Sequence, residues 1–205
     1  MDHLHATPIR QVAVIGTYLP RHCGIATFSA DFSEALARQF PDATIFAIAI
    51  NDGDETYAYP PRVRFEIAEG DIESYRRAAD FLNTNNVDLV VLQHEYGIFG
   101  GPSGGYILEL LRRVRAPVVT MLHTVLRDPD TTQRQVMEEI ARLSDHLVVM
   151  SDHARAILIE LYQTPPRKVT FIPHGIPDVP FVDPSFYKDQ FDAEGKSVLL
   201  SFGLL

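Results

Sequence analysis

Residues 11–16 read Gln-Val-Ala-Val-Ile-Gly, and residues 88–92 read Asp-Leu-Val-Val-Leu. Short apolar runs of this kind are typical of strands that are covered on both faces of a sheet. Each run is followed by a turn-rich stretch and then by a segment whose apolar residues have helical spacing. This order of strand, loop and helix predicts the β-α-β units of a parallel sheet.

The same alternation continues along most of the chain. Further strand-length apolar runs lie at residues 43–50, 63–67, 117–122, 146–150 and 169–172. Helical spacing occurs at residues 24–39, 71–82, 106–114, 131–143 and 151–162. Right-handed crossovers between such strands give a doubly wound structure. We therefore predict an α/β fold with a Rossmann-like, doubly wound, mainly parallel sheet of about seven strands.

The pattern changes after residue 172. Four prolines lie between residues 172 and 184, and they favour an extended connection over a helix. Another strand-like run, Ser-Val-Leu-Leu-Ser-Phe, occupies residues 197–202 of the 205-residue sequence. We predict a Rossmann-like domain over residues 1–180, an interdomain linker over 181–196 and the start of a truncated second domain over 197–205.

The composition narrows the class of protein. Hydrophobic residues make up 46% of the chain and charged residues 22%, as in ordinary globular domains. The net charge of -9 argues against a general nucleic-acid binder, which needs clustered Lys and Arg. The single cysteine, Cys23, allows no intrachain disulfide and fits a reducing compartment. With no signal-peptide pattern and no long apolar run, we expect a cytoplasmic protein without a transmembrane segment.

The loop between the first strand and the first helix contains Arg21 and Gly24. Ligands of open α/β sheets bind at the carboxyl ends of strands, where a helix N-terminus offers free amides. Gly24 would let the backbone approach a phosphate, and Arg21 would add positive charge. The alternative is a turn and helix start in which Gly24 serves geometry alone. The absence of a G-x-G-x-x-G pattern argues against a dinucleotide site.

A glycine-rich segment, residues 93–105, follows the strand at 88–92 and contains five glycines. Such a segment is costly to order unless something needs close backbone approach. His94 and Glu95 lie at the strand end, where they are suited to acid–base catalysis or to hydrogen bonding with a substrate. The alternative is a solvated loop whose glycines only form turns.

Two more histidines, His123 and His174, also follow predicted strands. Since the carboxyl ends of parallel strands share one edge, both could face the same crevice, although each could equally be a packed or capping residue. Ser151, which follows the strand at 146–150, is better explained as a helix N-cap. The histidines and acidic residues lack the fixed spacing of a metal site, so no metal is predicted.

Taken in order, these segments resemble those of family 4, or group 1, glycosyltransferases of a mannosyltransferase-like branch. The matching strings are Pro-Arg-His-Cys-Gly-Ile-Ala-Thr-Phe at 20–28, Gln-His-Glu-Tyr-Gly-Ile-Phe-Gly-Gly at 93–101, Leu-His-Thr-Val-Leu at 122–126, Ile-Pro-His-Gly-Ile at 172–176 and Phe-Gly-Leu-Leu at 202–205. Any one of them alone is weak. Together they are specific, and they extend over essentially the whole chain.

The resemblance implies the N-terminal half of a GT-B fold, in which two Rossmann-like domains face a cleft. In that family the N-terminal domain holds mainly the acceptor and the C-terminal domain holds mainly the nucleotide-sugar. The implied reaction is transfer of a hexose, with mannose as one candidate, from a nucleotide-sugar to a saccharide or lipid acceptor with retention of configuration. The resemblance implies no cofactor apart from this donor substrate.

The resemblance also implies roles for individual residues. Gly24 matches the glycine-loop position that approaches the donor diphosphate, and we place Arg21 in the same donor-phosphate loop. His123 matches a histidine in the cleft beside the transferred sugar, and we predict that it is catalytic. His174 lies in the segment that resembles the family's IPNGV/IPHGV turn, and its place after a strand makes it a further candidate for the cleft. The acceptor side of the cleft would be formed by His94, Glu95, Tyr96, Gly100 and Gly101.

The family's donor-binding Arg/Lys pair and paired glutamates belong to the second domain, and the sequence stops just before them. We therefore expect the chain to be inactive alone and to need a C-terminal domain. Two functions stay open: part of a glycosyltransferase, or a stand-alone sugar- or nucleotide-binding or structural partner module without catalysis. An unrelated Rossmann-like hydrolase is less favoured, since no G-x-S-x-G pattern occurs.

Overall fold

A single parallel sheet forms the centre of the computed structural model, which describes residues 9–53, 56–176 and 180–199. Its strands are β1 (Gln11–Gly16), β2 (Thr44–Asn51), β3 (Val63–Ala68), β4 (Leu89–His94), β5 (Val118–Leu122), β6 (His146–Val149) and β7 (Val169–Phe171). They pair in the order β3-β2-β1-β4-β5-β6-β7, and every pair is parallel. The strand order reverses between β1 and β4, as in doubly wound sheets. The predicted α/β fold with a Rossmann-like parallel sheet is confirmed.

Helices connect most of the consecutive strands. They are α1 (Gly24–Gln39), α2 (Ile72–Thr84), α3 (Ile107–Leu111), α4 (Thr131–Leu143), α5 (Asp152–Glu160) and, after the sheet, α6 (Pro184–Lys188). Several begin with a side chain that accepts a hydrogen bond from a first-turn amide, which satisfies donors that have no acceptor within the helix. Ser151 caps α5 by accepting from the Ala154 amide at 3.1 Å, as the sequence predicted.

Apolar side chains cover both faces of the sheet. One face includes Leu92 and packs against α2, α3 and α4, and the other includes Val91 and packs against Phe28 of α1. Because successive strand residues point to opposite faces, Gln93 continues the face of Val91 and His94 continues the face of Leu92. Both polar side chains are fully buried.

Two carboxylates join neighbouring strands at the amino edge of the sheet. Asp88 precedes β4 and accepts hydrogen bonds from the amides of Arg10 and Gln11, at 2.8 and 2.9 Å, at the start of β1. Asp145 precedes β6 and accepts from the Val118 amide of β5 at 2.8 Å. Hydrogen bonds to an ionised acceptor are stronger than neutral ones, so these two residues help to set the strand register from the edge opposite the loops discussed below.

The segment at residues 93–105 is more ordered than its composition suggests. β4 continues through His94, two residues beyond the predicted strand end. Two 3-10 turns follow, at Tyr96–Ile98 and Pro102–Gly104, and α3 is shorter than the predicted helix at 106–114. Most of this segment is therefore built into the domain instead of forming a solvated loop.

The chain divides into two compact units after His174. Within the described residues of the second unit, α6 and a 3-10 turn at Asp189–Phe191 lie in the predicted linker. Pro184 is the first residue of α6, a position where proline costs no hydrogen bond. Of the strand expected at 197–202, residues 197–199 are in no regular element and residues 200–202 lie outside the described residues. No helix in the described part of the chain has both the length and the apolar character to cross a membrane.

Candidate active site

His123 lies at the carboxyl edge of the sheet, directly after β5. Its backbone amide donates to the His94 carbonyl of β4 at 3.0 Å, so the pairing of the two strands extends one residue further. Its ring Nε2 lies 2.8 Å from Oε1 of Gln93. Phe28 of α1 meets the ring edge to face, with centroids 4.9 Å apart. Three chain segments therefore position this imidazole.

His174, which follows β7, lies at the same edge. Its ring packs against Phe28 at a centroid distance of 5.1 Å. Phe28 is thus in contact with both histidines. Both histidines were predicted from the sequence as site residues, whereas Phe28 and Gln93 were not. Both lie in the strings that carried the family resemblance, yet neither carries a charge or a nucleophile that would single it out.

The N-terminus of α1 opens at this edge. The thiol of Cys23 caps the helix by accepting from the Ala26 amide at 3.3 Å, and it also contacts the Thr17 hydroxyl at 3.0 Å. Gly24 is exposed, and a Cβ built on it would meet no atom within 4 Å. The first turn holds no acidic residue. The helix end therefore combines free space with the partial positive charge that favours an anion.

Arg21 does not extend into this free space. Its guanidinium is 3.3 Å from the Asp52 carboxylate, it donates to the Ile50 carbonyl at 3.2 Å, and its side chain is only 13% exposed. A hydrogen bond from Tyr57, together with the Arg21 charge, lowers the pKa of Asp52. In this conformation Arg21 fastens the loop after β1 to the end of β2, in place of the phosphate contact expected from the sequence.

Glu95 links the loops that follow β4 and β5. One carboxylate oxygen accepts from the Tyr96 amide at 2.9 Å, and the other accepts from the Thr124 hydroxyl. Tyr96 packs edge-on against the His94 ring at 5.1 Å, and burial raises the pKa of its phenol. Both residues are half-buried. They shape the edge of the sheet next to His123.

His94 has no exposed surface, which corrects the expectation that its side chain faces the crevice. The ring stacks on Phe99 at 5.8 Å, and neither ring nitrogen has a hydrogen-bond partner among the described residues. Burial, with a smaller contribution from His123, lowers the pKa of His94 to about 3. The cause is the extra length of β4, whose pleat turns His94 toward the core. A neutral, enclosed imidazole contacts no substrate in this conformation.

Gly100 and Gly101 are explained by packing. A Cβ on Gly100 would lie 1.9 Å from the Glu69 carbonyl oxygen, and one on Gly101 would lie 2.4 Å from the Tyr106 ring. The Tyr75 hydroxyl donates to the Glu69 carbonyl at 3.1 Å and accepts from the Gly100 amide at 2.9 Å. Gly101 also has a φ of +79°, which side chains rarely adopt. These contacts lock the glycine segment onto α2 without a ligand.

The chemistry available at this edge is that of a neutral imidazole beside a helix N-terminus. Burial, and to a smaller extent the charge of His174, lowers the pKa of His123 to about 4. The ring is therefore uncharged at neutral pH and can exchange hydrogen bonds with hydroxyl groups. Within the described residues, no group of three or more His, Cys, Asp and Glu side chains could hold a metal ion.

A Rossmann-like sheet with polar groups collected at its carboxyl edge defines a class of ligand-binding α/β proteins. The model of the family "Glycosyltransferase Family 4" matches residues 23–178. That match spans most of the chain, including the α1 start, Gln93, His123 and His174. The chain belongs to glycosyltransferase family 4.

A solved structure supports the fold. The chain is similar to a glycosyltransferase from Rickettsia africae ESF-5, with a TM-score of 0.60 and 13% identity over 91% of this chain and 50% of that one. This chain thus spans half the length of that glycosyltransferase chain. A short chain dehydrogenase family protein from Francisella tularensis subsp. tularensis SCHU S4 gives a TM-score of 0.39 at 12% identity, over 76% of each chain, which is too low to carry an argument. The comparison with curated proteins found no significant match.

The two glycine environments give a matched pair of stability predictions. Gly100→Ala forces a methyl group against the Glu69 carbonyl, and overpacking of this kind costs about 1–3 kcal/mol or more. Gly24→Ala meets open space at the start of α1, so we expect a change within about 0.5 kcal/mol. Urea denaturation of the two variants measures the difference, and equal stability of both would contradict the packing role of Gly100.

The buried imidazole of His94 predicts a pH dependence of stability. Its pKa of about 3 in the folded protein lies below the ordinary 6.5, so the unfolded chain binds more protons between these values. The stabilisation is complete above pH 6.5 and is lost as the pH falls toward 3. Over this range we expect His94 to contribute on the order of 4 kcal/mol.

Removing the imidazole tests this assignment. His94→Phe keeps an aromatic ring next to Phe99 and should flatten the dependence of the unfolding free energy on pH between 6.5 and 4. His123 still contributes to the remaining slope. His153→Phe, at an exposed position of α5, is the control and should keep the wild-type slope. An unchanged slope in His94→Phe would show that His94 is not buried in the neutral form.

Proposed function

We propose that this chain is the acceptor-side, N-terminal half of a GT-B glycosyltransferase. The reaction is transfer of a hexose from a nucleotide-sugar to a saccharide or lipid acceptor with retention of configuration, and mannose is one candidate for the hexose. The observation that carries the proposal is the position of His123. The chain is a family 4 member, and His123 lies at the carboxyl edge of its sheet. There it packs against Phe28 of α1, the helix whose open N-terminus is at Gly24.

The N-terminus of α1 suits the diphosphate of the donor. The amides of Gly24 and Ile25 have no acceptor within the helix, and the space next to Gly24 is open. In the proposal, the backbone here binds phosphate oxygens directly. Arg21 acts indirectly, because its ion pair with Asp52 holds the loop that leads into α1.

His123 suits a place beside the transferred sugar. A neutral imidazole accepts a hydrogen bond from a hydroxyl at one nitrogen and donates at the other, whereas a cation only donates. The low pKa of His123 keeps the ring neutral at physiological pH. Glu95, Tyr96 and His174 would line the neighbouring parts of the cleft, and His94, Gly100 and Gly101 would support them from within the domain.

Glycosyl transfer requires more than the groups on this one side of the cleft. Both substrates must be held in a reactive geometry, and positive groups must face the leaving diphosphate as charge develops on it. The chain spans 50% of the matched glycosyltransferase chain. We propose that residues 1–180 form the acceptor-side domain, that 181–196 form a linker, and that 197–205 begin a donor-binding domain which completes the site.

The 205-residue chain alone is therefore expected to give no measurable transfer with a panel of labelled nucleotide-sugars. Adding the C-terminal domain of a family 4 glycosyltransferase, in trans or fused after residue 205, should produce transfer. Robust transfer by the isolated chain would contradict the requirement for a second domain. Nucleotide-sugar binding without transfer in every combination would instead support the alternative, a binding or partner module.

In the active, two-domain form, His123→Ala should lower kcat roughly 100-fold, the effect of losing one well-placed catalytic group. Its melting temperature should also fall, because the buried Gln93 amide loses its partner, so kcat is measured well below the unfolding transition. His153→Ala, at an exposed position of α5, is the matched control and should keep full activity. A loss of activity in His123→Ala that is explained wholly by unfolding would assign His123 a packing role.

A further inference from the structure

Gln93 is a fully buried amide at the end of β4. It lies on the same face as Val91, among apolar side chains that pack against α1. Space for it is provided by Gly16 of β1, where a Cβ would lie 2.9 Å from the Gln93 Cβ. Burying an unpaired amide costs several kcal/mol in an apolar environment. A buried amide is therefore expected at this position only if it forms a hydrogen bond that an apolar side chain of the same size could not form.

The two ends of the Gln93 amide contact different groups. Oε1 lies 2.8 Å from Nε2 of His123, and Nε2 of Gln93 lies 3.4 Å from the Met121 sulfur. A carboxamide oxygen only accepts, and a thioether sulfur is a weak acceptor. When the NH2 group of Gln93 faces the sulfur, Oε1 faces the imidazole. A hydrogen bond to this oxygen requires a proton on Nε2 of His123. The reverse amide orientation would place an acceptor against the sulfur, which has no hydrogen to donate.

The bond to His123 is the stronger of the two, because a thioether accepts hydrogen bonds only weakly. This hydrogen bond therefore offsets most of the free-energy cost of burying the Gln93 amide. A neutral imidazole carries one proton, so a proton on Nε2 leaves the lone pair on Nδ1. We propose that Gln93 is a positioning residue that fixes His123 as the Nε2–H tautomer, so that Nδ1 accepts a hydrogen bond from a hydroxyl of the sugar substrate.

Other contacts of His123 agree with this role. Phe28 holds the ring edge to face at 4.9 Å, with an interplanar angle of 89°. Among the described residues no hydrogen bond is found at Nδ1, and the side chain is half-buried. One nitrogen is thus committed to Gln93 and the other remains available. The choice of substrate rests on the proposed function, whereas the tautomer itself does not.

The tautomer is measured directly by ¹H–¹⁵N NMR of the histidine rings in the 205-residue chain, with the His123 signals assigned from a His123→Asn variant. Three substitutions are compared with the wild type. Gln93→Met removes the acceptor and keeps a long, unbranched side chain. Gln93→Glu keeps an acceptor and makes it anionic. Gln135→Met, at an exposed position of α4, is the matched control. Because no activity is required, a failure here is distinct from a failure of the proposed function.

The wild-type His123 ring should be protonated at Nε2 and unprotonated at Nδ1 at pH 7.5. Gln93→Met should convert it to a mixture of tautomers, and Gln135→Met should leave it unchanged. Gln93→Glu should keep Nε2–H and move the titration of His123 to higher pH, since a nearby carboxylate favours the imidazolium. A wild-type ring protonated at Nδ1, or an unchanged tautomer in Gln93→Met, would overturn the proposal. If Gln93→Met does not fold, an unmoved titration in Gln93→Glu would overturn it equally.

Discussion

The pleat of β4 at its last two residues controls the arrangement of the site. Gln93 and His94 are consecutive, so the strand must direct them to opposite faces of the sheet. Gln93 points to the side of α1, where its amide meets His123. His94 points to the other side, where its ring stacks on Phe99. A shift of one residue in the pairing of β4 with β5 would exchange these environments and leave His123 without its partner.

Other contacts hold that register. Asp88 and Asp145 accept amides of neighbouring strands at the amino edge. At the carboxyl edge, the His123 amide extends the pairing of β4 with β5 by one hydrogen bond. Tyr75 locks the glycine segment from α2 through two hydrogen bonds at Gly100. These contacts within the domain set the position of His123, and the space next to Gly24 at the N-terminus of α1 is open.

Most strands and helices of this fold could be predicted from the sequence, because apolar runs and helical spacing reflect directly which residues are buried. The bounds of β1, α1 and α4 agree with the sequence prediction to the residue. The burial of His94 could not be predicted, because a polar residue before a glycine-rich segment resembles the start of an exposed loop. The ion pair of Arg21 was likewise not predictable, because its partner, Asp52, is distant in sequence and meets it only when β1 and β2 pair. Local patterns carry no information about such pairings.

The central claim is that substrates meet this family 4 domain at the carboxyl edge, between the start of α1 and His123. Amide chemical-shift mapping of the 205-residue chain during titration with millimolar UDP- and GDP-hexoses tests it most directly. The account predicts that at least one of these donors shifts a contiguous group of amides at residues 23–28 together with His123, with weak affinity. Shifts confined to the amino edge around Asp88 and Asp145, or no shifts at residues 23–28 and His123 with any donor, would contradict it.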